Sequence, residues 1–348
     1  YPGWALRGLV RDLLRRRAHG LASTLEAVAA GRQLLSLLAR HAQPARGWYA
    51  AALADEQRLL EDSDDAYVAH EHLDPVNEPL HLTDFVGRAR AHGLEYLGDA
   101  LPEPLPEDLP GGLGAALSAL ARDPLERDQY LDYFVGRAFR STLLCRAGTP
   151  LRGLPPVETV RRLVARARAV PDAASPDLRS GVVERFGTRD GRAAESSDPL
   201  VKALLTTLYR HAPAALGLDD LRTEVRALMA AAGSGHPGGD DPAAFAEALL
   251  RLHAGQLLRL QTHAVAFATS PGERPRASSL ARAQARAGAL VTSLRHDNLS
   301  LQETERSLLV LLDGTRDRGE LLGQGLGLTP QQLEVLLGRM ASHALLHE

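Results

Sequence analysis

The sequence predicts an α+β chain, mostly helical, that ends in winged-helix-like modules. Three observations predict it. Apolar residues recur at helical spacing along most of the 348 positions. The stretch Val182–Arg192 reads as a hairpin turning at Thr188–Gly191. The closing segment from Gln302 holds successive short helix patterns and a last strand, Ala344–His347. Two stretches rich in proline or glycine, Leu101–Pro110 and Gly233–Pro242, read as linkers. They divide the chain into expected domains at 1–101, 102–235 and 236–348.

Leu6, Leu9, Val10, Leu13 and Leu14 give the first helix its apolar side, and Arg7, Arg11 and Arg15 run along another. A second helix starts at Ser23, whose spacing to Glu26 is that of a capping box, and continues through Val28, Leu34, Leu35 and Leu38. Gln43–Gly47 breaks it, and a third helix follows from Trp48 to Glu61. Ala66–His70 reads as extended, and the turn HEHLDPVNEP carries Pro75 and Pro79, which fit no regular element. Thr83 is the expected cap of the next helix, with Phe85, Val86 and Ala89 on its apolar side. Gly93 fits a left-handed stop, and Leu94–Leu97 alternates like a strand.

Beyond the first linker, Asp123, Pro124 and Glu126 start a helix expected to reach about Arg146, with Tyr130, Leu131, Phe134, Val135 and Phe139 on one side. Leu151–Leu154 reads as strand and Val157–Val170 as helix. Asp198 and Pro199 open the helix carrying Val201, Leu204, Leu205 and Leu208, and Leu221, Val225, Leu228 and Met229 mark another. After the second linker come a helix over 243–254, an extended stretch over 256–269 and three closing helices. The last of these starts with Thr329, Pro330 and Gln332 and buries Leu333, Leu336, Leu337 and Met340.

Composition narrows the function classes. The chain is 45% hydrophobic and 24% charged, enough for real cores, and its net charge of −3 implies neither a nucleic-acid partner nor an anionic membrane. Cys145 is the only cysteine, which excludes an intrachain disulfide and fits a reducing cytoplasm. Lys202 is the only lysine among basic residues that are otherwise arginine. No stretch approaches a membrane span.

The string HEHLDPVNEPLHLTDFVGRARAHGLEYLGDA from His70 to Ala100 resembles the signature of the bacterial methyltransferase regulatory domain. The opening YPGWALRGLVRDLL resembles the segment that follows the fifth sheet strand of the same class I S-adenosylmethionine-dependent methyltransferases. Similarity recurs over Arg274–Asp317, and some of these proteins are similar to bacterial protein lysine methyltransferases. The resemblance implies that residues 1–101 are the C-terminal part of a class I methyltransferase α/β sheet with its regulatory segment, followed by winged-helix-like accessory modules. It implies S-adenosylmethionine as cofactor of the full-length protein, bound by an N-terminal half that would precede Tyr1. The chain, which does not open on methionine, is accordingly expected to be a fragment that holds no cofactor and transfers no methyl group alone. Neither glycine run, GGLG at Gly111 nor GQGLG at Gly323, follows a strand as a cofactor cradle requires. The expected role is regulation and recognition of a protein or small-molecule methyl acceptor. The alternatives are a stand-alone interaction or regulatory module and a winged-helix DNA-binding protein, and homo-oligomerisation is open.

The residues that bear chemistry cluster in two motifs. On a strand, His70 and His72 would share a side and Glu78 could add a carboxylate for a metal. No third imidazole stands at ligand spacing, so no metal site is predicted. The bland reading has these groups hydrogen-bonding within the turn. A further reading puts Glu71, Asn77 or Glu78 against the acceptor, orienting an amine for in-line methyl transfer. In YPGW, Pro2 and Gly3 make a turn that presents Tyr1 and Trp4, either as aromatic faces for a methylammonium or as packing beneath the first helix. The acceptor residues expected are therefore Tyr1, Trp4, His70, Glu71, His72, Asn77 and Glu78. Gln331, Glu334, Arg339, Ser342 and His343 balance one cation against one anion on the last helix, unlike a phosphate-tracking surface. No GxSxG elbow supports a serine hydrolase.

Overall fold

The computed structural model describes residues 1–42, 47–100, 109–151, 155–188, 190–234 and 241–348. They form two compact units, Tyr1–Leu151 and Arg152–Glu348. The expected break at Gln43–Gly47, most of both linkers and most of the expected strand at Leu151–Leu154 lie outside the described residues.

In the first unit, α1 (Trp4–Ala18), α2 (Thr24–His41) and α3 (Gly47–Asp62) pack around Val10, Leu14, Val28, Leu35, Leu53 and Leu60. Each helix contributes residues four or seven apart, the spacing that puts them on one side. Gly31 lets α2 approach closely, since a Cβ there would lie 2.7 Å from Leu14 Cδ2. Ser23 caps α2 by accepting from the Glu26 N–H at 3.1 Å.

Ala66–His70 is not extended. Asp64 caps a short helix, α4 (Asp65–Val68), which runs on into a single π turn, Ala69–Leu73, closed by Asp74 N–H donating to Ala69 O at 3.0 Å. Helix geometry here is set by burial: Val68 and His72, four apart, both face inward. Helix α5 (Leu82–Ala91) follows, and Thr83 is not its cap. The N-cap is His81, which makes no side-chain cap bond, and the Thr83 N–H donates to Gln129 Oε1 at 3.2 Å. A tertiary acceptor has replaced the local one. Gly93 stops the helix at φ 72°, as its missing Cβ permits.

Strand β1 (Leu94–Asp99) pairs antiparallel with β2 (Thr142–Arg146), with an irregularity between Tyr96 and Gly98. Among the described residues β1 belongs to a two-stranded sheet and enters no larger parallel one. Helices α6 (Leu113–Leu120) and α7 (Pro124–Val135) lie between them in sequence. Asp123 caps α7, but the helix stops at Gly136 (φ 60°) well short of Arg146. Its buried residues are Gln129, Leu131 and Asp132, whereas Phe134, Val135 and Phe139 are exposed.

In the second unit, Val157–Val170 is not one helix. Helix α8 (Val157–Val160) ends after one turn, and β3 (Val164–Ala167) and β4 (Ala169–Pro171) follow. Strand β3 sits between β7 (Leu216–Gly217) and β8 (Leu258–Gln261), and β4 joins the expected hairpin, β5 (Glu184–Thr188) and β6 (Ala193–Ser196). The alternation Ala165-Arg166-Ala167-Arg168-Ala169 is the strand signal, with Ala165 and Ala169 fully buried. The extended stretch over 256–269 contracts to β8. Helices α9 (Pro199–His211), α10 (Leu218–Ala231) and α11 (Pro242–Ala254) close this core around Phe186, Leu204, Leu208, Leu221, Val225 and Leu249.

A second core in this unit joins α12 (Ser279–Ala287), α13 (Glu303–Leu311), α14 (Arg318–Leu322) and α15 (Pro330–Ser342) through Ala281, Leu308, Leu321, Leu333 and Leu337. Strands β10 (Leu290–Thr292) and β11 (Asn298–Ser300) form a hairpin, and β12 (Leu346–His347) pairs with β9 (Arg276–Ala277). Both halves of the capping box at Thr329 and Gln332 are made. No described helix is long and apolar enough to cross a membrane.

Candidate functional site

The YPGW opening and the proline-bearing turn meet in the first unit. The Tyr1 nitrogen donates to Leu80 O at 2.9 Å, and Gly3 N–H donates to Arg137 O at 2.9 Å. Position 3 must be glycine, because a Cβ there would lie 2.0 Å from the Gly136 carbonyl oxygen. This close approach sets the start of α1 so that Trp4 Nε1 donates to Asn77 Oδ1 at 2.9 Å. Trp4 is buried, and the Arg7 guanidinium lies 5.9 Å from its ring centroid. Asp74 organises the turn: its Oδ1 accepts from Val76 N–H at 2.7 Å, and its carbonyl accepts from Arg11 Nη2.

The histidines separate. His70 is exposed and Glu71 half-buried, while His72 is buried, with Nε2 3.5 Å from Glu56 Oε2. Glu56 accepts from Arg7 Nε at 2.9 Å through its other oxygen. Glu78 is exposed and pairs with Arg88 at 3.2 Å. The shared side expected of a strand is thus lost to the π turn, and among the described residues no group of three His, Cys, Asp or Glu side chains is placed to hold a metal. The structure brings together Tyr1, Trp4 and Asn77; His70, His72 and Glu78 do not converge with one another.

Next to Tyr1 stands an ionic cluster that the sequence did not reveal. Arg140, fully buried at its side chain, donates to Asp132 through Nε and Nη2 at 2.8–3.1 Å and lies 3.3 Å from Asp99 Oδ2. Arg137 Nε donates to Asp132 Oδ1 at 2.6 Å. Burial pushes the Tyr1 phenol pKa up, with Arg140 and Arg137 opposing and Asp132 and Asp99 reinforcing. Eight positions separate Asp132 from Arg140, which sit on a helix and a loop, so no periodic pattern could have announced the pair. The aromatic side chain of Tyr133 stacks on His81 with centroids 5.7 Å apart.

Neither glycine run has the setting of an S-adenosylmethionine cradle. Gly111 and Gly112, both at positive φ, lead into α6 through a 3₁₀ turn, and Gly325 and Gly327 lie between α14 and α15. Neither run links a described strand to a helix, the arrangement that aims N–H groups at such a ligand. On α15, Glu334 already pairs with Arg318 and Arg339 with Glu305, each at 2.9 Å. Ser342 and His343 are half-buried rather than exposed.

Two segments match known domain families. Residues 64–146 match a predicted methyltransferase regulatory domain, and residues 273–331 match the C-terminal winged helix domain of PKMT. The chain therefore carries a methyltransferase-related regulatory domain, running from α4 to β2, and a PKMT-type winged helix.

Among individual proteins, it is 28% identical over 144 residues to the uncharacterized protein RP789 of Rickettsia prowazekii (strain Madrid E), a match over 41% of this chain and 26% of that one. The chain thus spans about a quarter of that relative's length. The structure of PKMT2 from Rickettsia typhi in complex with AdoHcy superposes with TM-score 0.77 at 19% identity, covering 99% of this chain and 73% of that one. A second PKMT2 structure from the same organism gives TM-score 0.77 at 22% identity over 100% and 72%. At such identity these two show a shared fold.

Proposed function

We propose that this chain is the regulatory and acceptor-recognition portion of an S-adenosylmethionine-dependent methyltransferase that acts on protein side chains, in the manner of protein lysine methyltransferases. One observation carries the reading. The turn Asp74–Leu80, inside the segment that matches the regulatory domain, is tied to the start of α1 by the Trp4–Asn77 and Tyr1–Leu80 bonds. A rigid turn of this kind can present half-buried Tyr1, Glu71 and Asn77 and exposed His70 and Glu78 to an acceptor, with Trp4 and His72 as the buried support. Holding an amine in line with a methyl donor is most of what such a transfer asks of the protein. The cofactor belongs to residues outside this chain, and the protein works in the cytoplasm, where Cys145 stays a thiol.

Two measurements test this. Calorimetric titration of the chain with S-adenosylmethionine is expected to show no saturable heat; micromolar binding would overturn the assignment of the cofactor to other residues. With the chain joined to an S-adenosylmethionine-binding half, mass spectrometry of candidate acceptors after incubation with labelled cofactor should reveal methylated side chains. The variants Glu71→Ala and Glu78→Ala should raise KM for the acceptor and leave cofactor binding unchanged. Unaltered KM in both would remove the acceptor role.

The exposed side chains of Phe134, Val135 and Phe139 favour a second reading, a protein-interaction module.

A further inference from the structure

The Arg152–Glu348 unit contains a cavity of about 510 Å³ whose charged lining is mostly arginine: Arg166, Arg168, Arg259 and Arg295, against Asp190 and Asp297. Its volume suits a small-molecule ligand. Arg166 and Arg259 are directly opposed in the antiparallel β3–β8 ladder. Like charges in that relation destabilise a sheet pair, so an arrangement that lines them up on one cavity calls for a compensating anion.

The protein's own carboxylates compensate only in part. Asp297 is shared, with Oδ1 3.4 Å from Arg166 Nη2 and Oδ2 3.3 Å from Arg295 Nε. Asp190 takes Arg168 Nη2 at 3.0 Å. Arg295 is also committed to the protein, donating to Pro213 O and Ser342 O at 3.3 Å each. The Arg259 side chain, exposed at the cavity, makes no ion pair or hydrogen bond among the described residues. Arg166 is half-buried and its Nε finds no acceptor. Burial first, then Arg295, Arg259 and Arg168, push its pKa down against the pull of Asp297. Among the described lining residues, four guanidinium groups stand against two carboxylates.

We propose that this cavity binds a small polyvalent oxyanion of the phosphate class, held by Arg166, Arg168 and Arg259. Guanidinium forks match phosphate oxygens in pairs, and a divalent anion would cancel the excess charge. The inference is independent of the methyl-transfer reading.

The test is calorimetric titration of the whole chain with pyrophosphate at low salt, with ATP and citrate as parallel arms. Saturable binding of pyrophosphate or ATP with a Kd of about 1 mM or tighter is expected. Pyrophosphate bound as well as ATP points to a free phosphate, and tighter ATP binding to a nucleotide. Arg259→Gln and Arg166→Gln should each weaken binding about tenfold or more, the loss of one charge-assisted contact. Arg162→Gln, on an exposed residue outside the cavity, should change nothing. Since the Arg259 side chain has no partner among the described residues, its variant is expected to fold as the parent does, which circular dichroism would check. No saturable heat with either phosphate, binding that Arg259→Gln leaves intact, or citrate bound as tightly as pyrophosphate would each overturn the proposal.

Discussion

Trp4 Nε1 donates to Asn77 Oδ1 at 2.9 Å and so joins the first helix to a turn 73 residues away. Asn77→Ala leaves a buried indole N–H without an acceptor and is expected to cost about 1–3 kcal/mol. Asn77→Asp keeps the acceptor and should cost less. The chain has two tryptophans, and Trp48 is exposed, so a Trp48→Phe background isolates Trp4 fluorescence as the probe of urea unfolding.

Arg140 and Asp132 form a pair with both side chains fully buried. Removing one partner unbalances a buried cluster, leaving Asp132 to Arg137 alone or Arg140 to the longer contact with Asp99. Asp132→Asn or Arg140→Met alone should therefore cost about 3–5 kcal/mol. The double variant Asp132→Leu/Arg140→Met should lose clearly less than the sum of the single losses, as read by a double-mutant cycle in denaturant.

Lys202, the only lysine, is buried in α9 and donates through Nζ to the carbonyl oxygens of Asp177, Arg179 and Val182 at 2.7–2.8 Å. Its role is to close the loop before β5 by satisfying three backbone acceptors. Lys202→Met should destabilise the Arg152–Glu348 unit by about 2–5 kcal/mol in thermal or chemical unfolding. Amine-directed reagents should fail to modify Lys202 in the native protein and succeed after denaturation, a contrast that peptide mapping would read.

Glu126 is held at about 2, below its ordinary 4.5, first by the Arg122 side chain and then by the Arg122 backbone N–H. A depressed carboxyl contributes stability above its unfolded value and loses that contribution as pH falls. The expected window therefore runs from 4.5 down to about 2, over which the unfolded chain takes up a proton that the folded chain refuses. Carboxyl NMR titration should find this low value, and Arg122→Ala should move it back toward 4.5.

Features with local causes were legible before the fold. Ser23, Asp123, Asp198 and Thr329 each cap the helix expected of them, because a cap contacts N–H groups only two or three residues on. Misreadings arose where a distant group intervened. Gln129 supplies the acceptor that Thr83 was expected to provide within its own segment. Residues 157–170 read as one helix, while the Ala–Arg alternation that marks β3 needed a paired strand from residues 258–261 to make sense. In the candidate site, the meeting of Tyr1, Trp4 and Asn77 was foreseeable only as a set of residues, and the Asp132–Arg140 cluster not at all.

By itself the sequence determined the helix caps at Ser23, Asp123, Asp198 and Thr329, the Gly93 stop, the β5–β6 hairpin and the closing strand, since each is decided by neighbours within a turn or two. Only the tertiary structure decided that His72 points inward while His70 stays in solvent, that Gly3 packs on the Gly136 carbonyl, and that Arg166 and Arg259, paired across β3 and β8, line one cavity. Those outcomes depend on register and burial between segments tens of residues apart, and no local window of residue types contains that information.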